Sequence, residues 1–138
     1  MRTREEMEEK TRQILDECPT ITLASVTEAG YPRCAILVQV AHEGFQKIYV
    51  STGTSSRKTA HFRVNPKAGV SFGKGDDGVT LIGKVRILSD PAERNRYWQD
   101  WMRDHFPLGT EDPEFCVLEF TTEEATLWIE NQFETYQY

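Results

Sequence analysis

Three cysteines and three histidines are all that this 138-residue chain contains, and their scatter excludes much. Cys18, Cys34 and Cys116 are widely spaced and odd in number, which fits neither a disulfide framework nor a zinc site. Reduced thiols are the expectation. His42, His61 and His105 show no metal-ligand spacing, so no metal is predicted and each reads as a surface or structural residue. Basic residues also run short. Sixteen Lys and Arg against 22 Asp and Glu leave a net charge of −6, which argues against a nucleic-acid partner because phosphate backbones favour a basic face. A local basic pocket for one small anion stays open. No apolar run approaches the length of a membrane span. The polar start Met1-Arg2-Thr3-Arg4-Glu5-Glu6 lacks the apolar core of a secretory signal, so a cytoplasmic location is expected. Gly-x-Gly-x-x-Gly, a Walker A spacing and any Ser/His/Asp arrangement are missing too. Rossmann, P-loop and hydrolase readings therefore have no support.

What remains is an ordinary globular composition, 38% apolar and 28% charged, and the length suits one domain over residues 1–138. The first element reads as a helix over residues 3–18. Thr3 and Glu6 form a capping box, Met7, Thr11, Ile14, Leu15 and Cys18 share one face, and Pro19 stops it. The period then changes. Thr20–Val26, Tyr31–Ala41 and Phe45–Ser51 read as consecutive antiparallel strands with turns at Gly30 and Gly44. A short helix is expected over Ser56–Val64, ending before Asn65-Pro66. Ala68–Gly73 and Val79–Leu88 make a further hairpin. Asp90-Pro91-Ala92-Glu93 starts a third helix that carries Arg94, Tyr97, Trp98, Trp101 and His105 near one face and closes at Phe106-Pro107. Two last strands, Phe115–Thr121 and Ala125–Glu130, complete a mainly β protein with added helices. Strands that follow one another through tight turns predict an antiparallel barrel, not a doubly wound parallel sheet.

The segment Ser51-Thr52-Gly53-Thr54-Ser55-Ser56-Arg57-Lys58 is the most informative for function. It leaves a strand, crosses a hydroxyl-rich turn and enters a helix whose first residues are basic. Cations in a first turn oppose the helix dipole by about 0.3–1 kcal/mol each. A bound phosphate reverses that sign, since free N–H groups, hydroxyls and two cations together cradle an anion. A plain serine cap with Arg57 and Lys58 in water is the competing reading of the same residues. The strand Arg33-Cys34-Ala35-Ile36-Leu37-Val38-Gln39-Val40 is almost wholly apolar. It suits a barrel strand buried on both faces, with Cys34 inside, or a floor beneath a flat aromatic ligand. Trp98, Trp101, Trp128, Phe106, Phe115, Phe120 and Phe133 supply aromatics for core, dimer contact or stacking. An anion cradle with few catalytic side chains points to a carrier of a cofactor that does the chemistry itself.

Gly30-Tyr31-Pro32-Arg33, Ile48-Tyr49-Val50-Ser51-Thr52 with Ser56-Arg57-Lys58, Asn65-Pro66-Lys67, and Ile82-Gly83-Lys84-Val85 with Ser89-Asp90-Pro91 occur in a telling order. In that order the sequence resembles the pyridoxamine 5'-phosphate oxidase-like FMN-binding split barrels, in particular their short general stress protein branch. The resemblance implies a six-stranded antiparallel split β-barrel, of Greek-key or meander type, that forms a homodimer with FMN at the interface. It implies that Ser56, Arg57 and Lys58 bind the phosphate and that Ser51 and Thr52 lie near the ribityl chain. Ile36, Leu37 and Val38 are implied to border the isoalloxazine ring. Ala35 stands where relatives often carry an FMN-contacting arginine, and Arg33, two residues earlier on the same strand face, is its expected substitute. Gly78 falls where true oxidases carry a glutamine, and the C-terminal region that binds pyridoxamine phosphate in them has no counterpart. The implied function is an FMN-dependent oxidoreductase with a small-molecule substrate and a nicotinamide or similar donor. A non-catalytic flavin-binding or ligand-sensing stress protein, or a binder of haem or a deazaflavin, is the alternative. No catalytic acid or base is singled out.

Overall fold

The computed structural model describes residues 1–138. Helix α1 covers Arg4–Asp16, and its capping box is present: Thr3 Oγ1 accepts from the Glu6 N–H while the Glu6 carboxylate accepts from the Thr3 N–H. Met7, Thr11, Ile14 and Leu15 are its buried stripe. Strands β1 (Thr20–Val26), β2 (Pro32–Glu43) and β3 (Lys47–Gly53) follow through tight turns. The first of these turns uses Gly30 at φ 87° and the second Gly44 at φ 56°, a region closed to most side chains. Helix α2 (Arg57–Val64), the hairpin of β4 (Lys67–Lys74) and β5 (Asp77–Leu88), and helix α3 (Pro91–Tyr97) come next. Asp90 caps α3 by accepting from the Glu93 N–H, with Pro91 in the first turn.

The sheet order is β3-β2-β1-β4-β5-β6-β7, every pairing is antiparallel, and β3 also pairs with β6 (Phe115–Ile129). That last pairing closes six strands, β1 to β6, into a barrel, which is the expected fold. The main core has twenty buried residues, among them Phe45, Ile48, Val70, Leu81, Leu118 and Leu127 of the barrel and Met7, Ile14 and Leu15 of α1. A second, smaller core sits outside the barrel. Tyr49, Leu88, Tyr97, Met102, Phe106, Phe115 and Val117 build it, and it pins the chain between α3 and β6 against the barrel wall.

Three expectations are corrected. The two last strands are one. β6 runs unbroken through residues 122–124 because its first half closes the barrel against β3 while its second half pairs with β7 (Gln132–Gln137), a strand not expected from the sequence, where the last strand ends at Glu130. The third helix is shorter than expected. It stops at Tyr97, Trp98 and Gln99 are extended, and a 3-10 turn covers Asp100–Asp104. Tertiary contacts override the helical pattern there: Trp98 packs edge-on against Phe115 at 5.2 Å, and Gln99 Nε2 donates to the Val40 carbonyl at 2.9 Å. Finally, β2 is not buried on both faces. Cys34, Ile36 and Val38 alternate outward as exposed residues, Ile36 at 76% and Val38 at 46%.

Candidate functional site

A cleft of about 380 Å³ lies on the barrel wall. Its floor is the outer part of β2, Ile36, Leu37 and Val38, and the end of β3 contributes Ser51, Thr52 and Gly53. Lys58 enters from the first turn of α2. The remaining wall is not barrel at all: it is Trp101, His105 and Phe106, from the segment beyond α3.

Six of the residues singled out in the sequence therefore line one space: Ile36, Leu37, Val38, Ser51, Thr52 and Lys58. Ser56 sits one hydrogen bond behind them. Arg33 does not line the cleft, yet its charge reaches Lys58. Arg57 is exposed and outside the lining. Ala35 and Gly78 do not line it either, and Gly78 pairs with Trp128 across β5 and β6. Trp101, His105 and Phe106 are not expected in a cleft from the sequence, because a continuous helix leaves Trp101 and His105 on the face of Tyr97 and Trp98 and closes at Phe106.

The turn between β3 and α2 is wired inward. Thr59 Oγ1 donates to the Gly53 carbonyl at 2.7 Å, so the Ser56 hydroxyl donates to Thr59 Oγ1 at 2.9 Å. The Thr52 hydroxyl then donates to Ser56 Oγ at 3.2 Å, and Ser56 Oγ also accepts from the Thr59 N–H as the helix cap. Thr54 donates to the Pro113 carbonyl at 2.9 Å and Ser55 to the Glu114 carboxylate at 2.6 Å. Five hydroxyl protons in and beside the turn, those of Thr52, Thr54, Ser55, Ser56 and Thr59, are thus engaged within the protein, while Ser51 has no side-chain partner there. What the turn still offers a ligand is its positive charge and the N–H groups of Arg57 and Lys58, which precede the first possible intrahelical acceptor.

The cations in and beside the site are not tied up in ion pairs. Arg33, Arg57 and Lys58 take part in none of the ion pairs of the molecule. Burial first, and the Arg33 guanidinium second, hold the half-buried Lys58 ammonium below the usual lysine range, with nearby Cys116 acting the other way. Cys116 itself lies fully buried beneath the turn, and burial pushes its thiol up. It is a packed, protonated thiol with no role as a nucleophile. The other histidines are structural: His61 Nδ1 pairs with the buried Ser25 hydroxyl at 2.8 Å, and His42 lies between Asp16 and the Gly44 carbonyl, each at 3.0 Å. Two cations without carboxylates, one partly desolvated, beside an aliphatic floor form a site suited to a ligand with an anionic arm and a flat apolar body.

Comparison with curated proteins gives no match. Among solved structures, a protein from Clostridium acetobutylicum related to general stress protein 26 of B. subtilis is 26% identical with a TM-score of 0.87, covering 98% of this chain and 96% of its own. The general stress protein 26 of Bacillus anthracis is 24% identical with a TM-score of 0.80, over 96% and 98% of the two chains. A pyridoxamine 5'-phosphate oxidase-related, FMN-binding protein from Nostoc punctiforme has the same fold at 16% identity and a TM-score of 0.71, over 95% and 92%. The family model of pyridoxamine 5'-phosphate oxidase matches residues 7–129, which takes in all six barrel strands described above. The chain belongs to the pyridoxamine 5'-phosphate oxidase family.

Proposed function

We propose that this chain binds FMN in the cleft and acts as an FMN-dependent oxidoreductase on a small molecule, working as a homodimer. The observation that carries the reading is the pair Arg33 and Lys58, two cations with no carboxylate partner beside an exposed aliphatic floor. Burying part of a lysine ammonium next to a guanidinium is unfavourable unless an anion completes the site. A phosphate does so, and the first-turn N–H groups of α2 add donors to it. Ser51 keeps a hydroxyl free for the ligand's polyol arm, and Ile36, Leu37 and Val38 offer the aliphatic surface a flat ring requires. When bound, the flavin would accept and return electrons. The protein's part is to hold it and to limit water around it. Lys58 and His105 are the titratable side chains of the lining, so proton movement at this site would pass through one of them or through solvent.

Retention of flavin tests the reading directly. Protein mixed with FMN and desalted is expected to keep the oxidised-flavin absorption bands, and NADH or NADPH added without oxygen is expected to bleach them. A colourless protein after desalting rejects the FMN assignment. Retained bands that neither nucleotide nor any other donor bleaches favour the binding or sensing alternative, which the alanine at position 35 and the glycine at position 78 also support.

The homodimer has its own test. Ile36 and Val38 project from β2 at 76% and 46% exposure, with Cys34 on the same face, and soluble monomers rarely display a contiguous apolar strand face. Ile36→Glu is expected to turn a dimer of micromolar stability or better into a monomer in sedimentation. A variant that sediments as the wild type does would place the interface elsewhere.

A further inference from the structure

We infer that Trp101 and His105 hold the planar ring of the cleft's ligand, Trp101 by stacking and His105 by a hydrogen bond to the ring's polar edge. The inference rests on the flavin reading and deepens it, because it assigns the ring to residues distinct from those assigned to the phosphate. Of the aromatics that could stack on a ligand, most are already engaged. Trp98 and Phe106 each pack on Phe115 at 5.2 Å, Phe120 is inside the barrel core, and Trp128 pairs with Phe133 at 5.8 Å on the β6–β7 hairpin. Trp101 alone combines a place in the cleft with a largely free indole, 40% exposed.

The backbone explains why. Met102 and Phe106, four residues apart, are buried at 0% and 8% and anchor the segment in the outer core. Trp101 and His105, also four apart, fall on a neighbouring side and face the cleft. The indole is braced: its Nε1–H donates to Gln99 Oε1 at 2.6 Å, and Gln99 Nε2 donates to the Val40 carbonyl at 2.9 Å, where β2 bulges away from β3. That chain of contacts fixes the indole plane before a ligand arrives, which lowers the ordering cost of stacking on it. The His105 ring stands edge-on to Trp101, 83° and 6.1 Å away, and its nitrogens have no hydrogen-bond partner in the protein. An aromatic face with an idle imidazole beside it matches a heteroaromatic ring that carries carbonyl or ring-nitrogen acceptors along one edge.

Titration of two ligands separates ring from phosphate, because riboflavin carries the ring and lacks the phosphate. Trp101→Leu is expected to weaken FMN and riboflavin alike, each by about tenfold, the scale of one lost aromatic stack. Trp101→Phe is expected to restore most of the loss, and His105→Ala to cost both ligands about threefold to tenfold, the worth of one hydrogen bond. Unchanged melting temperatures would show that the outer core is intact. The assignment is overturned by Trp101→Leu and His105→Ala variants that bind riboflavin as tightly as the wild type does, or by a loss confined to FMN, which would place these residues at the phosphate. Wild-type protein that binds neither ligand overturns the flavin reading and this inference together. Wild type that binds both, with variants that bind equally well, overturns only the inference.

Discussion

Replacing Arg33 and Lys58 together with alanine is expected to weaken FMN binding by about a hundredfold while leaving riboflavin binding nearly unchanged. Each charge-assisted contact to a phosphate is worth about 1.5–3 kcal/mol, and Lys58 is only half-buried, so solvent screening trims its share. A combined loss of about 3 kcal/mol corresponds to roughly two orders of magnitude in the dissociation constant. The same variant is expected to be no less stable than the wild type without ligand, because it removes two like charges that have no carboxylate partner. The sign of the pH dependence agrees. Lys58 lies below its ordinary range in the folded state, burial being the larger cause and Arg33 the next. Its charge therefore costs the ligand-free fold in full below the folded-state pKa. That cost lifts as pH rises from there toward the ordinary lysine value. Arg57→Ala is the internal contrast, since Arg57 is exposed and, unlike Arg33, its charge is not among those acting on Lys58, and it is expected to change FMN affinity by less than about threefold, the scale of a surface charge. Fluorescence titration of both flavins against the variants reads all of this. FMN affinity that survives the double replacement would take the phosphate away from these two cations.

Gly83→Ala is expected to be the most damaging single methyl group in the molecule. A Cβ built on Gly83 would lie 1.9 Å from the Thr121 carbonyl oxygen and 3.1 Å from the Phe120 ring, so backbone, not a pliable side chain, must move. The position has a reason. Across β5 and β6 the register runs Ile82 to Glu124 and then Gly83 to Thr122, leaving Glu123 as an extra residue on β6. This bulge lies where β6 stops closing the barrel against β3 and begins to pair with β7, and the bend it produces requires a close backbone approach at the partner. Overpacking of this kind costs about 3 kcal/mol, roughly 10 °C in melting temperature for a chain of this size. Gly78→Ala, five residues earlier on the same strand, is the control. Its added Cβ meets nothing within 4 Å and its φ is ordinary, so thermal denaturation should show a shift of under about 2 °C. Equal melting temperatures for the two variants would remove the close approach from the account of the bulge.

The features legible from sequence are those written within a turn or a strand of the residue that carries them. The capping pairs Thr3 with Glu6 and Asp90 with Glu93 act over three residues, and both are present in the structure. A β-branched, apolar run ahead of the Gly30 turn located β1 at Thr20–Val26, its observed limits. The buried stripe of α1 follows from 3.6-residue spacing alone. The basic start of α2 after a hydroxyl-rich turn was equally local, and it brought Lys58 and Ser56 to notice together.

Only the tertiary structure decided the rest, because the deciding contacts join residues far apart in the chain. Closure of the barrel depends on β3 meeting β6, and β6 is one long strand where local pattern suggested two because β5 pairs along both its halves and β7 takes the second. The outward face of β2 reads as buried in a hydrophobic pattern, since apolar residues on both faces look alike until one side is left without a neighbour. That Arg33 and Lys58 form no ion pair is a property of the assembled surface, invisible in a chain with 22 acidic residues. The break after Tyr97 is the clearest case. Local spacing put Tyr97, Trp98, Trp101 and His105 on one helical face, but Gln99 reaches 59 residues back to Val40 and Trp98 packs on Phe115. A helix of marginal length yields to packing of that size, and the turn that results sends Tyr97 into the outer core and Trp101 with His105 into the cleft.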